Sequence, residues 1–463
     1  MELELTPTQA LRRRLFREVA GALQAGTLVA KVEDLAKSLT PFWRERGQSE
    51  AAARQAAAGH VRCALGLNPH PAGGETLAQA ARRALETGTP ETPTIVAVPG
   101  ACAGCRDMEC AAEAACVTGA LKKGPAGTVQ VDNERCLNCG LCIGACRAAA
   151  LSDKAEIVQV AKLLLDGRGP VAAVVAPAFA GQFGPDVFGE EVAAALREFG
   201  FHRVVEVALG ADVITIKEAE EYLRRIRRGD PFMITSCCCP PFIRLVQKFR
   251  PRLAHLISDS VSPMIAIGRL EKAEHPGTRV VFIGPCIAKK SEARQRELAD
   301  AVDFVLTFEE AAALLEAGGI TVPRRAAAPA LRDASHDGRI YGHTGGVTAA
   351  IMRSIAKLAP GTAVAARQGN GIKECSELLK KAEAGDLKAT FLEGMACPGG
   401  CVGGPGKLVP PEVGRQEVDE FAAEAPVLEA VSNERARSLY ARHAPAVNLT
   451  SVKPPDPVSP ADK

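Results

Sequence analysis

Apolar residues in the first ninety positions recur every three to four residues, as in "ALRRRLFREVAGAL" from residue 10. That is the period of an amphipathic helix. "NPHPAGG" at 68–74 breaks the pattern and "TGTPETP" at 87–93 closes it, as glycine and proline clusters do. Residues 1–92 therefore read as a small helical N-terminal domain whose arginine-rich faces are expected to be solvated helix surface. From about residue 170 the pattern changes to short continuous apolar runs: "VAAVVAP" (171–177), "RVVEVAL" (203–209), "PFMITS" (231–236), "RVVFIGP" (279–285), "DFVLTF" (303–308) and "KATFLEG" (388–394). These predict buried strands. "EEVAAALREFG" and "IKEAEEYLRRIRRG" predict helices between them, an alternation that gives α/β layers over residues 168–415. The last stretch, 416–463, holds one helical pattern, "PVLEAVSNERARSLYARH", and a tail, "VKPPDPVSPADK", of disorder-prone composition.

Composition narrows the functional classes. The chain has 463 residues, 48.5 kDa, and a formal charge of +2 with 4% aromatics. Two to four domains fit that length. A near-neutral, aromatic-poor chain offers neither a charged surface nor a stacking platform for nucleic acid. No run of about 18 apolar residues predicts a membrane span. The start, "MELELTPTQALRRRLF", lacks the apolar core of a secretory signal, so a cytoplasmic location is expected.

The sixteen cysteines change the picture most. Without an export signal, metal or redox chemistry is favoured over disulfides. Cys63 stands alone in an apolar helical stretch and reads as a small core residue. The other fifteen fall in tight groups, eight of them between residues 95 and 155, where apolar residues are few. A core that poor needs bound metal to hold it. Cys136, Cys139, Cys142 and Cys146 have the spacing C-x2-C-x2-C-x3-C, that of [4Fe–4S] ferredoxins. Zinc is the rival ligand, but its sites use separated C-x2-C hooks. Cys102, Cys105, Cys110 and Cys116 form a looser partner group. With crossed ligation, Cys102, Cys105, Cys110 and Cys146 hold one cube, and Cys116, Cys136, Cys139 and Cys142 the other. The proline usual after the fourth cysteine of a ferredoxin motif is replaced by Val117 and by Arg147. Two adjacent cubes make an electron relay, and a relay joined to a large α/β domain feeds something.

The α/β part carries "TSCCCP" (Cys237, Cys238, Cys239), "PCIAKK" (Cys286, Lys289) with Glu292, and "MACPGGCVGG" (Cys397, Cys401). Each cysteine group lies at or past the end of a predicted strand, where α/β sheets place their sites. These three segments resemble the signature motifs of the [FeFe]-hydrogenases. "APAF" at 176–179, "GHTGGV" at 342–347 and "NGIKE" at 370–374 add to the likeness, which runs from about 95 to 406. The family usually reads TSCCP, so the extra cysteine resembles a less studied branch.

The resemblance implies an α/β catalytic domain with an H-cluster between its lobes, fed by a ferredoxin-like 2[4Fe–4S] domain at 93–160. The H-cluster is a [4Fe–4S] cube joined through one cysteine to a diiron unit with CO, cyanide and azadithiolate ligands. Cys286, Cys397, Cys401 and one cysteine of the triple would hold the cube, with Cys401 as the bridge. Lys289 would hydrogen-bond a cyanide, and Pro177, Ala178 and Met395 would line the diiron pocket. The reaction would be 2 H+ + 2 e- = H2, with the cysteine beside the cube ligand as proton donor. Anchoring the triple on Thr235 and Ser236 makes Cys237 the donor; anchoring on Pro240 makes Cys238 the donor and Cys239 the ligand. The spacing of "FRPRLAHLISDSVSP" downstream favours the second. The family's proton path continues through two glutamates three apart on the preceding helix, a serine and a further glutamate. Ser258 and Glu292 match the last two, whereas Ala219 and Tyr222 align with the helix acids. Glu218, Glu220 and Glu221 are then expected on a solvated face. Met264 stands where the family usually has glutamine. Implied partners are a ferredoxin or similar low-potential carrier and the H-cluster maturation proteins. Two other readings stand beside the enzyme: an H2-sensing, low-turnover regulator, and an iron–sulfur assembly factor that keeps only cubes.

Overall fold

The computed structural model describes residues 5–451, apart from residues 72, 104, 106–108, 125–127, 186, 236, 323–330 and 445. The tail at 452–463 thus lies outside the described residues. Helices α1 (Pro7–Gln24), α2 (Leu28–Arg44), α3 (Glu50–Ala64) and α4 (Leu77–Thr87) occupy the N-terminal region. Thr6 starts α1 with a reciprocal cap to Gln9, and Pro7 occupies its first turn. Leu11, Leu15, Val19 and Ala22 form its buried stripe, and most arginines of the four helices are exposed as expected, but two depart from that expectation. Arg12 and Arg62 are each only 2% exposed. Arg12 binds Asp153 (2.7 Å) and Glu309 (3.0 Å), and Arg62 binds Glu75 (2.5 Å). Buried guanidinium groups survive because each has a carboxylate partner. Cys63 is buried as expected, and burial pushes its thiol up to about 12.

The cysteine-rich stretch has little regular structure: β1 (Ile95–Ala97), α5 (Ala111–Ala114), β2 (Leu121–Lys123), β3 (Val129–Val131), α6 (Leu141–Ala145) and β4 (Leu151–Asp153). Here β1 pairs with β4 and β2 with β3, both antiparallel. Helix α7 (Ile157–Asp166) leads into β5 (Val171–Val175), then α8 (Gly189–Phe199), β6 (Arg203–Glu206), α9 (Val207–Arg228), β7 (Met233–Ile234), α10 (Pro240–Phe249) and α11 (Pro263–Glu274). Next come β8 (Arg279–Ile283), α12 (Ala288–Ala293), β9 (Phe304–Leu306), α13 (Phe308–Ala317), α14 (His336–Arg339), α15 (Gly346–Leu358), β10 (Ala366–Asn370), α16 (Ile372–Glu383), β11 (Phe391–Met395), α17 (Pro411–Ala423) and α18 (Glu434–His443). A parallel sheet of order β6-β5-β8-β9 and a second of order β10-β11-β7 form two layers flanked by helices.

Four sequence expectations shift. "RVVEVAL" is not one strand: β6 ends at Glu206 and Val207 opens the 22-residue α9, whose first turns are buried all round and so read as a continuous apolar run. "PFMITS" contributes only Met233 and Ile234 to a strand. The C-terminal helix starts at Glu434, not at Pro426, because the Asn433 side chain caps the amides of Arg435 and Ala436. Helix α17 runs across residue 415, where a boundary was expected. No helix among the described residues is long and apolar enough to cross a membrane.

Candidate metal centres

The C-terminal ends of β5, β7, β8 and β11 converge on a cavity between the two sheets. Cys239, Cys286, Cys397 and Cys401 line it, each delivered by the short turn after a strand or just before a helix. The remaining wall is apolar, with Pro177, Met264 and Met395 among it, and Ala178 is buried just behind Pro177. Cys238 and Lys289 also face the cavity. Glycines make room for a bulky group. A Cβ on Gly400 (φ +91) would collide with the Thr344 amide nitrogen, and one on Gly404 would meet the Pro285 carbonyl at 2.7 Å.

The donor set fits an iron–sulfur cube. Burial pushes Cys239 up to about 11 and Cys401 up to about 12, and neighbouring thiols add to the rise. Four free thiolates cannot share this space, whereas cluster iron would supply the missing positive charge. Among the described residues no three His, Cys, Asp or Glu side chains converge as a single metal ion would require. Thiols set around a common space, too far apart for one ion, match a cube better than zinc.

The "CCC" loop distributes its three thiols in three directions. Cys239 points to the cube side, its sulfur accepting the Ala396 amide at 3.3 Å. Cys238 opens on the cavity. Cys237 turns away from it, into a polar chamber shared with Ser258 and Glu292, and lies beside Glu218. Lys289 donates to Glu292 at 2.6 Å. Burial works to lower Lys289, but Glu292 outweighs it and keeps the ammonium charged.

Helix α9 corrects the reading of the glutamates. Glu218 and Glu221 are 0% and 2% exposed, so neither is on a solvated face, and they are themselves three residues apart. Thr235 Oγ1 donates to Glu218 Oε2 at 2.6 Å, and Ser258 Oγ donates to Glu221 Oε2 at 2.8 Å. Arg225, one turn on, binds Glu221 at 2.7 Å. Burial pushes Glu218 up to about 7, against the lowering effect of the Thr235 and Ser258 hydroxyls. Ala219 and Tyr222, expected where the family has its helix acids, each directly follow one of these glutamates on the same helix. In the fold both are buried apolar wall, the Tyr222 hydroxyl bonding Thr390 at 2.7 Å. Glu220 is partly exposed and accepts from the Tyr440 hydroxyl at 3.2 Å.

The eight upstream cysteines lie in two neighbouring groups, with Cys142 also interacting with Cys146. Cys116, Cys136, Cys139 and Cys142 line one cavity together with Ile372 of α16. Cys146 instead interacts with Cys105 and Cys110, and Cys102 with Cys146, Cys105 and Cys110. Cys139 in turn interacts with Cys286, so the first set stands next to the large cavity and the second lies beyond it.

Several residues that matter to this geometry were given no role by the sequence, although Asn370, Thr344 and Gly345 lie in its "NGIKE" and "GHTGGV" segments. Asn370 Oδ1 accepts from the Gly399 amide (2.7 Å) and the Thr344 hydroxyl (3.1 Å), tying "NGIKE" and "GHTGGV" to the Cys397–Cys401 loop. Buried Glu393 accepts from the Gly345 and Thr348 amides at 2.7 and 2.8 Å, anchoring the start of α15. Arg244 and Lys248, one turn apart on α10, donate to the carbonyls of Leu137 (3.2 Å) and Cys136 (3.2 Å). Cys375 is buried against the carbonyls of Gly369 and Met395.

Residues 169–405 match the family model of the iron only hydrogenase large subunit, C-terminal domain, and residues 129–152 match a 4Fe-4S binding domain. The chain is 30% identical over 308 residues to iron hydrogenase 1 of Clostridium pasteurianum, a match covering 56% of this chain and 54% of that protein. It thus spans about half the length of that relative. It is also 25% identical over 268 residues to the cytosolic Fe-S cluster assembly factor NAR1 of Eremothecium gossypii, covering 45% of this chain and 59% of that protein. In fold it is similar to the apo [FeFe]-hydrogenase of Chlamydomonas reinhardtii, with a TM-score of 0.51 at 23% identity, covering 61% of this chain and 94% of that one.

Proposed function

We propose, since the chain belongs to the family of the iron only hydrogenase large subunit, C-terminal domain, that it is an [FeFe]-hydrogenase catalysing 2 H+ + 2 e- = H2. One observation carries this reading. A single cavity collects Cys239, Cys286, Cys397 and Cys401, and the same cavity presents a free thiol, Cys238, and an ammonium, Lys289. A cube-only protein has no use for the last two. In this reading Cys239, Cys286, Cys397 and Cys401 would hold the cluster, with Cys401 the ligand on its diiron side, and the chain represents a TSCCCP branch. When bound, the H-cluster supplies the redox chemistry of dihydrogen.

The chain's own residues supply charge, dryness and protons. Lys289, fixed by Glu292, sets a positive charge against the anionic ligands of the diiron unit. Pro177, Met264 and Met395 keep that side of the cavity apolar. Glu218 holds a proton near neutral pH and faces Cys237. Cys237 adjoins Cys238, and Cys238 Sγ presents the proton to the cavity. Both thiols are neutral, because burial pushes them well above the ordinary range, so each releases a proton as it accepts the next. Ser258, Glu221 and Arg225 extend the line away from the cavity. The cube of Cys116, Cys136, Cys139 and Cys142 is then the proximal electron relay, and that of Cys102, Cys105, Cys110 and Cys146 the distal one. A ferredoxin-like carrier would deliver electrons there, in the cytoplasm, and maturation proteins would install the diiron unit.

The likeness to NAR1 favours a second reading, an assembly protein without a diiron unit. Loading the chain with the H-cluster maturation enzymes, followed by infrared spectroscopy and an H2 assay, separates the cases. Iron-bound CO and cyanide bands with turnover support the hydrogenase. Bands without turnover indicate the sensor. Absence of bands in a cube-loaded protein leaves the assembly reading.

A further inference from the structure

The four N-terminal helices are unaccounted for by the hydrogenase reading, and three of them reach the same short turn. Residues 147–150, directly after Cys146, bend so that the Ala150 amide donates to the Cys146 sulfur at 3.2 Å. The bend depends on Ala149, which has φ +50. That left-handed conformation is disfavoured for any residue with a Cβ and needs outside support. Thr8 Oγ1 of α1 donates to the Cys146 carbonyl (2.8 Å), Trp43 Nε1 of α2 to the Ala148 carbonyl (2.9 Å), and His60 Nε2 of α3 to the Ala149 carbonyl (2.7 Å). All three side chains are almost fully buried, and the Trp43 and His60 rings pack with centroids 5.2 Å apart. Burial lowers His60 to about 4, so its ring is neutral, and the carbonyl partner fixes the proton on Nε2. Ferredoxin motifs usually carry proline after the fourth cysteine, which stiffens the backbone there. Arg147 does not, and the helices restrain the turn from outside.

We propose that the N-terminal helices are a positioning frame for the distal relay cluster, in which Thr8, Trp43 and His60 hold the turn that aims the Ala150 amide at the Cys146 sulfur. This rests on the reading that Cys146 ligates a [4Fe–4S] cluster. Amide bonds to cluster sulfur stabilise the more negative, reduced state. Loosening the turn therefore lowers that cluster's reduction potential.

The test is a redox titration, followed by electron paramagnetic resonance, of the full chain loaded with [4Fe–4S] clusters but lacking the diiron unit. Thr8→Val, which is isosteric, and His60→Leu are expected to move one relay signal to more negative potential. The shift corresponds to about a two- to fivefold fall in the reduced-to-oxidised ratio at a fixed potential. The other signals stay in place, and His60→Gln, which can still donate, restores the shifted one. If His60→Leu fails to load iron, Thr8→Val decides alone. Fully loaded variants with unmoved signals overturn the frame. So does a uniform shift of every cluster, or a His60→Gln protein that behaves like His60→Leu. A wild-type chain without relay signals overturns the cluster assignment itself.

Discussion

Replacing Glu218 by glutamine tests the proton line where its chemistry is most constrained. The amide side chain of Glu218→Gln can keep the acceptor that Thr235 Oγ1 meets at 2.6 Å, so packing is preserved while the transferable proton is lost. Burial moves this carboxyl from 4.5 to about 7, a displacement of ~2.5 units, equivalent to about 3 kcal/mol. The folded carboxyl binds its proton more tightly than the unfolded one, which titrates near 4.5. Below pH 4.5 both states are protonated and the group contributes nothing. Between 4.5 and 7 the unfolded chain ionises first, so the folded state loses up to about 3 kcal/mol of relative stability, with no further loss above about 7. Glu218→Gln removes this dependence. Its thermal midpoint should therefore rise relative to wild type by a few degrees on going from about pH 5 to about pH 8. In the H2-evolution assay the wild-type rate should fall as pH rises through about 7, where Glu218 loses its proton. The variant should lose that inflection together with about 10²- to 10⁴-fold in turnover, with infrared bands intact. Wild-type turnover in the variant, or an unchanged inflection near 7, would refute the assignment of Glu218 as a proton carrier. A midpoint difference that does not change with pH would refute the shifted carboxyl.

Other substitutions probe separate parts of the site. Cys238→Ser should keep the infrared bands and lose at least ~10²-fold in turnover; Cys237→Ser should keep the bands and also slow turnover, and full activity there would remove Cys237 from the line. Gly400→Ala forces a Cβ into the Thr344 amide at a φ of +91, so iron analysis should show the loss of roughly four atoms per chain, those of one cube. Lys290→Met leaves Asp153 and Glu310, which Lys290 meets at 2.7 and 3.0 Å, without one of their buried cations. Removing one partner of such a network costs about 3–5 kcal/mol, which thermal unfolding of the loaded protein would register as a lower midpoint.

The layers and the motif cysteines were legible because both leave local signatures. Buried parallel strands are continuous apolar runs, and cluster ligands must be cysteines at tight spacings. The misread charged faces share one cause: burial set by distant partners. Arg12 has the sequence texture of a solvated helix face, and only Asp153 and Glu309, far along the chain, bring it inside. Glu218 and Glu221 likewise sit in a run, "KEAEEYLRR", that reads as charged surface. Their counterparts Thr235 and Ser258 belong to other segments and supply the hydrogen bonds that allow burial. On a helix one residue is a turn of about 100°, so expecting the acids at Ala219 and Tyr222 rather than at Glu218 and Glu221 placed them on the wrong face. Glu218 and Glu221 are three residues apart, and that spacing puts both on one buried face of α9.

The same long-range polar contacts join the relay to the cavity. Helix α10 begins immediately after Cys239, and its Arg244 and Lys248 hold the carbonyls of Leu137 and Cys136 in the proximal cysteine loop. Lys290, four residues past Cys286, meets Asp153 at the end of β4, and Arg12 of α1 meets the same carboxylate from the other side. The Cys136–Cys142 loop is thus held by cations of α10, and the end of β4 by Lys290 and Arg12, rather than by their own sparse apolar content. In the proposed relay, electron transfer would need the clusters at fixed separations, and the cysteine-rich region has too small a core to fix them by packing. Buried ion pairs and charged hydrogen bonds do so by geometry. The N-terminal helices follow the same rule, since Thr8, Trp43 and His60 hold the Cys146 turn through carbonyls alone. A region poor in core is thereby made rigid by its neighbours.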